Sequence, residues 1–223
     1  MVRLLNADKN ILDVWERADG DVITEGSEWY RLANTIASNV GMVLVNNLMS
    51  GLDQRNMLVG GAGIVSALSP QTSWDRNIAN AFYFADTLSK PSFCTGVAYT
   101  KALNIVDVLY KTLIPEKPTD ITLDEMDIIL GKGAFKTKAF FHNILDPNGD
   151  YTPTIDRHAI SIWLGRKATE KELLHHGGSL KAYTKLGDSY KKVAKHLNIH
   201  YNDLQATTWI QWRLENKNSS MGV

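Results

Sequence analysis

Apolar side chains recur at i, i+3, i+4 and i+7 along most of the chain, as at Ile78, Ala81, Phe82 and Ala85 and again at Tyr190, Val193, Ala194 and Leu197. That spacing lines one face of a helix, and no convincing alternation marks a strand, so the pattern predicts an all-α protein of roughly ten helices joined by short turns. Candidate N-caps punctuate it: Ser27 before E-W-Y-R-L-A, Ser73 before W-D-R-N-I-A, Thr122 before L-D-E-M, Asp156 before R-H-A-I and Asn202 before D-L-Q-A. Residues 56–69, N-M-L-V-G-G-A-G-I-V-S-A-L-S, are apolar on every side and rich in small residues, which predicts a buried central helix that others approach closely. Pro70 ends it. The polar corner Q-T-S-W-D-R-N follows, where Gln71 is either held at a surface cleft or simply solvated.

Composition narrows the class. The 223 residues, 44% of them hydrophobic, suffice for one large domain or two small lobes. Cys94 is the single cysteine, which excludes disulfides within the chain, cysteine-ligated zinc and an iron–sulfur cluster, and points to an intracellular, cytoplasmic location. The opening M-V-R-L-L-N-A-D-K-N lacks the apolar core of a signal, and the weakly polar run 57–68 is too short to span a bilayer, so no membrane partner is expected. The closing N-K-N-S-S-M-G-V reads as a frayed tail. Net charge is zero, but residues 1–130 carry 10 Lys+Arg against 16 Asp+Glu, and residues 131–223 carry 14 against 8. The basic half permits either a phosphate-binding face or ordinary solvated helix surfaces.

Candidate chemistry concentrates in that half. The stretch T-I-D-R-H-A-I-S-I-W-L-G-R, residues 154–166, places Asp156 at the mouth of an amphipathic helix, 18 residues after Lys138. Between them an apolar helical segment, 139–145, and the turn D-P-N-G-D bring the chain back. A carboxylate can stabilise the cationic sugar formed as a sugar–base bond breaks, and an amine can attack the same carbon. Asp156 also fits a plain helix cap. His175 and His176 are adjacent and share no helix face, which argues against zinc. Trp209 and Trp212 read as core rather than as a base-stacking platform. The segment V-G-G-A-G lacks the G-K-[ST] ending of a phosphate-binding loop.

Four segments stand in order: L-S-P-Q-T-S-W at 68–74, T-G-V-A-Y-T-K-A-L-N-I at 95–105, L-G-K-G-A-F-K-T-K-A at 130–139 and T-I-D-R-H-A at 154–159. Together they resemble the helix-hairpin-helix DNA glycosylases of the endonuclease III group, over roughly residues 56–165. The family's counterparts are a helix ending L-S-x-Q-T, a G-x-x-x-x-K-A-x-N-I helix opening, an L-P-G-V-G-x-K-T-A hairpin and V-D-T-H. The resemblance implies two helical lobes with a cleft between them, one of residues 53–132 and one of 1–52 with 133–223. It implies a monomer acting on DNA, with Asp156 as the catalytic carboxylate and Gln71 entering the duplex. Gly131, Lys132, Gly133 and Thr137 would meet the backbone phosphates; His158, two residues after the aspartate, either helps to order the site or is an ordinary partly buried histidine. No cofactor is implied, although a monovalent cation at the hairpin is compatible with the family. Glycines let backbone amides approach a phosphate closely, and Lys132, Lys136 and Lys138 lie in a seven-residue run without an acid; solvated lysines at a helix start would look the same.

The chain also departs from the pattern. The hairpin proline is absent, and an extra residue precedes the K-T pair. Lys138 keeps the family's spacing to the aspartate, Lys136 keeps the local K-T, and either is a candidate nucleophile; with neither, water attacks and lyase activity is absent. The amino acid:DNA transferases of phages that hypermodify thymine resemble a branch of the same superfamily. A base-modifying transferase, phage-encoded, is therefore the alternative enzyme, and a DNA-binding module without chemistry is the third reading.

Overall fold

The structure is a computed structural model that describes residues 4–48, 53–112 and 120–217. The tail beyond residue 217, expected to fray, lies outside the described residues, as do the first three positions of the chain. Eleven helices and no strand are found among the described residues: α1 (Asn6–Glu16), α2 (Gly20–Leu48), α3 (Gln54–Leu68), α4 (Trp74–Thr87), α5 (Gly96–Thr112), α6 (Leu123–Leu130), α7 (Phe135–Leu145), α8 (Arg157–Leu164), α9 (Glu170–Gly178), α10 (Leu180–Leu197) and α11 (Tyr201–Lys217). The protein is all-α. No helix among them is long and apolar enough to cross a membrane.

Two compact units divide the chain, one of Leu32–Asp146 and one of Met1–Arg31 with Pro147–Val223. The boundaries fall at 31/32 and 146/147, not at the 52/53 and 132/133 of the sequence reading. The first of them lies inside the unbroken helix α2, where no turn residue or linker could announce it.

In the unit of Leu32–Asp146, α3 is the buried helix that its composition predicts, with Val59 through Leu68 all inaccessible. Its glycines are there because backbones meet. A Cβ on Gly61 would stand 1.8 Å from the Ala37 carbonyl oxygen of α2, and one on Gly41 of α2 would stand 2.1 Å from the Met57 carbonyl oxygen. Gly60 and Gly63 admit the side chains of Leu109 and of Met126 and Ile105 in the same way, which seats α5 and α6 on α3. Close packing of this kind leaves no room for an added methyl without moving a helix. Asn77 of α4 donates to the Val65 carbonyl at 3.1 Å, and Asn34 of α2 donates to the Ile144 and Leu145 carbonyls, satisfying the last turn of α7.

The other unit packs α1, the first turns of α2 and α8 to α11. Its α2 starts at Gly20 under Asp19, whose Oδ1 accepts from the Val22 N–H at 2.9 Å. Ser27, expected to begin a helix, lies inside α2 and donates back to the Thr24 carbonyl. Gly26 beside it is no helix breaker; it is where Thr207 of α11 crosses, 2.0 Å from a would-be Cβ. Asn202, also expected as a cap, is the second residue of α11, and the His200 ring accepts its N–H at 3.3 Å. Ser73, Thr122 and Asp156 do occupy the N-cap positions of α4, α6 and α8.

Asp8 is a nearly buried carboxylate in this unit, 2% exposed, holding the Lys192 ammonium at 2.6 Å and the Leu5 N–H at 2.8 Å. Burial alone would raise its pKa, but the bonds from Leu5, Lys192 and Ser189 outweigh it, and the group is held below the ordinary aspartate value of 3.8. A carboxylate depressed on folding stabilises the protein fully above its unfolded pKa and ceases to do so as pH falls through the folded one. Unfolding measured against pH should therefore show Asp8→Asn less stable than wild type near neutrality, with the difference shrinking below about pH 4.

Candidate functional site

Asp156 is reached through a stretch with no regular structure, residues 146–156, and the backbone groups of that stretch need partners. Two tyrosines supply them in the same way. The Tyr201 hydroxyl donates to the Gly149 carbonyl at 2.8 Å and accepts from the Tyr151 N–H at 2.9 Å. Four residues further on, the buried Tyr183 hydroxyl donates to the Pro153 carbonyl at 3.2 Å and accepts from the Ile155 N–H at 2.9 Å. Each phenol thus bridges a carbonyl and the N–H two residues later. Asn202 adds a bond to the Pro147 carbonyl and Lys191 one to the Asp150 carboxylate. Gly187 lets the stretch lie flat on α10, since a Cβ there would come within 3.3 Å of Thr152 and Pro153.

The carboxylate itself is half-buried at the start of α8. Its Oδ1 accepts from the backbone N–H groups of His158 at 2.9 Å and Ala159 at 2.8 Å. Among the described residues Oδ2 takes no hydrogen bond. The cap role and an available oxygen therefore coexist in one side chain. Beneath it lie buried phenols: Tyr30 donates to the Gln205 side chain at 2.9 Å and has Thr154 as a second partner. Burial pushes the Tyr30, Tyr183 and Tyr190 hydroxyls well above the ordinary phenol value, and the Asp156 charge adds to each shift. They remain neutral dipoles around the carboxylate. A carboxylate so placed can stabilise a cation or take a proton from water.

His158 follows in the first turn of α8, its ring edge-on to Trp209 with centroids 6.4 Å apart. Trp209 and Trp212, read from the sequence as core, are only half-buried. Trp209 also meets Trp29 at 6.0 Å and carries the Arg213 guanidinium over its ring at 4.3 Å. Sequence spacing could not group Trp29 with Trp209, because they come from α2 and α11.

The remaining expected site residues belong to the unit of Leu32–Asp146, whereas Asp156 and His158 belong to the other. Gln71 is exposed directly after α3 and Pro70, in the left-handed conformation with φ 61°. A non-glycine residue there carries backbone strain of about 1–2 kcal/mol. Residues 131–134 form a tight turn between α6 and α7, closed by the Ala134 N–H on the Gly131 carbonyl at 3.1 Å. Gly131 needs its glycine for φ 105°, while a Cβ on Gly133 would meet open space. Nothing in the fold around Gly133 requires glycine. Lys132 is exposed and Lys136 half-buried, and α7 begins with Ala134 as its N-cap and no side-chain cap bond. Thr137 is buried. Lys138 pairs with Asp127 of α6 at 3.7 Å, and His142 binds the other Asp127 oxygen at 3.1 Å.

Lys101, quoted within its motif but given no role from sequence, reaches from α5 to the end of α6. Its ammonium donates to the Leu130 carbonyl at 2.5 Å, and burial pushes its pKa below the ordinary lysine value. The Leu130 oxygen is thus bonded to this ammonium and the Gly131 oxygen accepts from the Ala134 N–H, so a cation already stands at the first carbonyl of the turn. No group of three His, Cys, Asp or Glu side chains that could hold a metal occurs among the described residues.

These features define an all-helical protein in which a half-committed carboxylate opens one helix and a tight turn bearing Lys132 links two others. The chain belongs to DUF7178, a family of unknown function, which it matches over residues 3–216. No curated protein and no solved structure matches it.

Removing the Tyr183 hydroxyl should loosen the approach to Asp156. Tyr183→Phe leaves the Ile155 N–H and the Pro153 carbonyl without their partner, at a cost of about 1–3 kcal/mol. Hydrogen exchange at the Ile155 amide should accelerate by about five- to 150-fold on that scale, with protection in α3 unchanged.

Proposed function

We propose that the protein is a DNA N-glycosylase of the helix-hairpin-helix kind, acting on a nucleotide turned out of the duplex. The observation that carries the reading is Asp156, with one carboxylate oxygen fixed by two backbone amides, the other uncommitted, and the preceding backbone clamped by Tyr183 and Tyr201. The ordered motifs of the sequence support it from a separate direction. In this reaction the C1′–N bond breaks and the base leaves with the bonding electrons. The Asp156 charge stabilises the sugar cation, a water oxygen bonds to C1′, and the water's proton passes to the carboxylate. The target nucleotide must leave the stack first, because neither C1′ nor the base edge is reachable inside a duplex.

In the same reading the turn at 131–134 is the DNA-gripping hairpin. Gly133, with open space around it, lets the backbone approach a phosphate, and Lys132 and Lys136 add charge. Gln71 enters the duplex. Its exposed, strained position at the end of the most deeply packed helix supports that role. Lys138 is drawn toward Asp127 at 3.7 Å, which supports water rather than Lys138 as the nucleophile.

The test is a panel of duplexes bearing uracil, oxidised, alkylated, hypermodified or abasic sites, with base release, strand cleavage and mass gain scored separately. The expected result is base release from at least one duplex, without a borohydride-trapped adduct. Asp156→Asn should lower the rate by about 10³-fold while duplex affinity is kept, since asparagine retains a capping oxygen but not the charge. Mass gain without base release would instead favour the base-modifying transferase, and duplex binding with neither would leave a DNA-binding module. Wild-type rates in Asp156→Asn would sink the glycosylase reading.

A further inference from the structure

Leu130 is the last residue of α6, where a helix carbonyl has no intrahelical partner and the backbone dipole favours a cation. Lys101 delivers one from α5. Its Nζ lies 2.5 Å from the Leu130 oxygen and would stand 3.4 Å from a Cβ on Gly131, so the ammonium is seated against the first residue of the turn. A metal ion at this point would need several converging oxygens, and the neighbouring Gly131 carbonyl already accepts from the Ala134 N–H. A tethered ammonium needs only one, and it keeps two further N–H groups for another acceptor. The position on the chain matters too: α5 and α6 both pack on α3, so the lysine stem is anchored at a fixed distance from the turn.

We propose that the Lys101 ammonium is the resident cation of the turn between α6 and α7, standing where a monovalent metal ion would otherwise sit, and that its remaining N–H groups receive a phosphodiester oxygen of bound nucleic acid. The second half rests on the nucleic-acid reading above; the first half does not. The turn therefore carries a covalent cation that buffer composition cannot remove. Lys101 also becomes a phosphate-binding residue on a helix remote in sequence from the Lys132–Lys136 run.

Two measurements on the full chain separate the halves. Thermal unfolding is followed at fixed ionic strength in sodium, potassium and tetramethylammonium chloride. Wild-type midpoints should coincide, and Lys101→Met should unfold earlier than wild type in all three salts while Lys101→Arg, which keeps a cation, recovers most of the loss. A wild-type midpoint that rises saturably with potassium or sodium would mean that the turn takes a metal ion, and would overturn the resident-cation claim; so would a Lys101→Met midpoint equal to wild type. Duplex affinity is then measured against salt concentration. Lys101→Met should lower affinity for all sequences alike and reduce the log–log salt slope by about one, with Lys101→Arg keeping the wild-type slope. An unchanged slope in Lys101→Met, with wild-type binding intact, overturns the phosphate half alone. Absence of duplex binding by wild type overturns the nucleic-acid reading and the phosphate half with it, and the unfolding comparison still decides the cation half.

Discussion

A backbone that belongs to neither helix nor sheet must find hydrogen-bond partners elsewhere, and the segment leading to Asp156 finds them in two phenols. Tyr201 and Tyr183 each bridge a carbonyl and the amide two residues on, and the bridges are spaced so that one holds the middle of the segment and the other its end. The last bridged amide, Ile155, is the residue before the carboxylate. From there the first amides of α8 take over, fixing Oδ1 and leaving Oδ2 without a hydrogen bond among the described residues. The orientation of one carboxyl group is thus set by α10, α11 and α8 together. A carboxylate positioned in advance does not need to reorganise when a positive charge develops near it, which is the property an electrostatic catalyst requires.

The unit of Leu32–Asp146 solves a different problem. Its centre is a helix whose neighbours are in backbone contact, so Gly61 and Gly41 cannot carry side chains and the positions of α2 and α3 are fixed to within a methyl group. On that base α5 and α6 are held by Leu109, Ile105 and Met126, and the Lys101–Leu130 bond joins the two where the turn begins. The turn itself is short, and among the described residues its conformation depends on one glycine, Gly131. Lys138, the residue that sequence spacing favoured as a nucleophile, is drawn into an ion pair with Asp127. The two adjacent elements of the proposed hairpin are thereby tied by charge as well as by the backbone between them.

Much of this was legible in the sequence where the cause is local. The caps Ser73, Thr122 and Asp156 are set by residues within four positions, and the burial of α3 follows from a run of small apolar residues. What the sequence hid has distant causes. Ser27 looks like a helix start, yet α2 runs through it, and Gly26 beside it is where Thr207 of α11 crosses. The unit boundary at Arg31/Leu32 has no composition of its own, since it lies within one continuous helix. Tyr183 and Tyr201 stand in no motif, and only the returning loop gives their hydroxyls a role. Lys101 stood inside a quoted motif, but its partner carbonyl comes from a helix that the motif does not include.

The claim that matters most is that the Asp156 charge stabilises a cationic sugar, and it can be measured without knowing the target base. Affinities of wild type and Asp156→Asn are compared for duplexes carrying a cationic pyrrolidine or a neutral tetrahydrofuran in place of one deoxyribose. Wild type should bind the cationic site about a hundredfold more tightly than the neutral one, and Asp156→Asn should lose this preference while binding the neutral duplex as wild type does. An equal preference in the two proteins would contradict it.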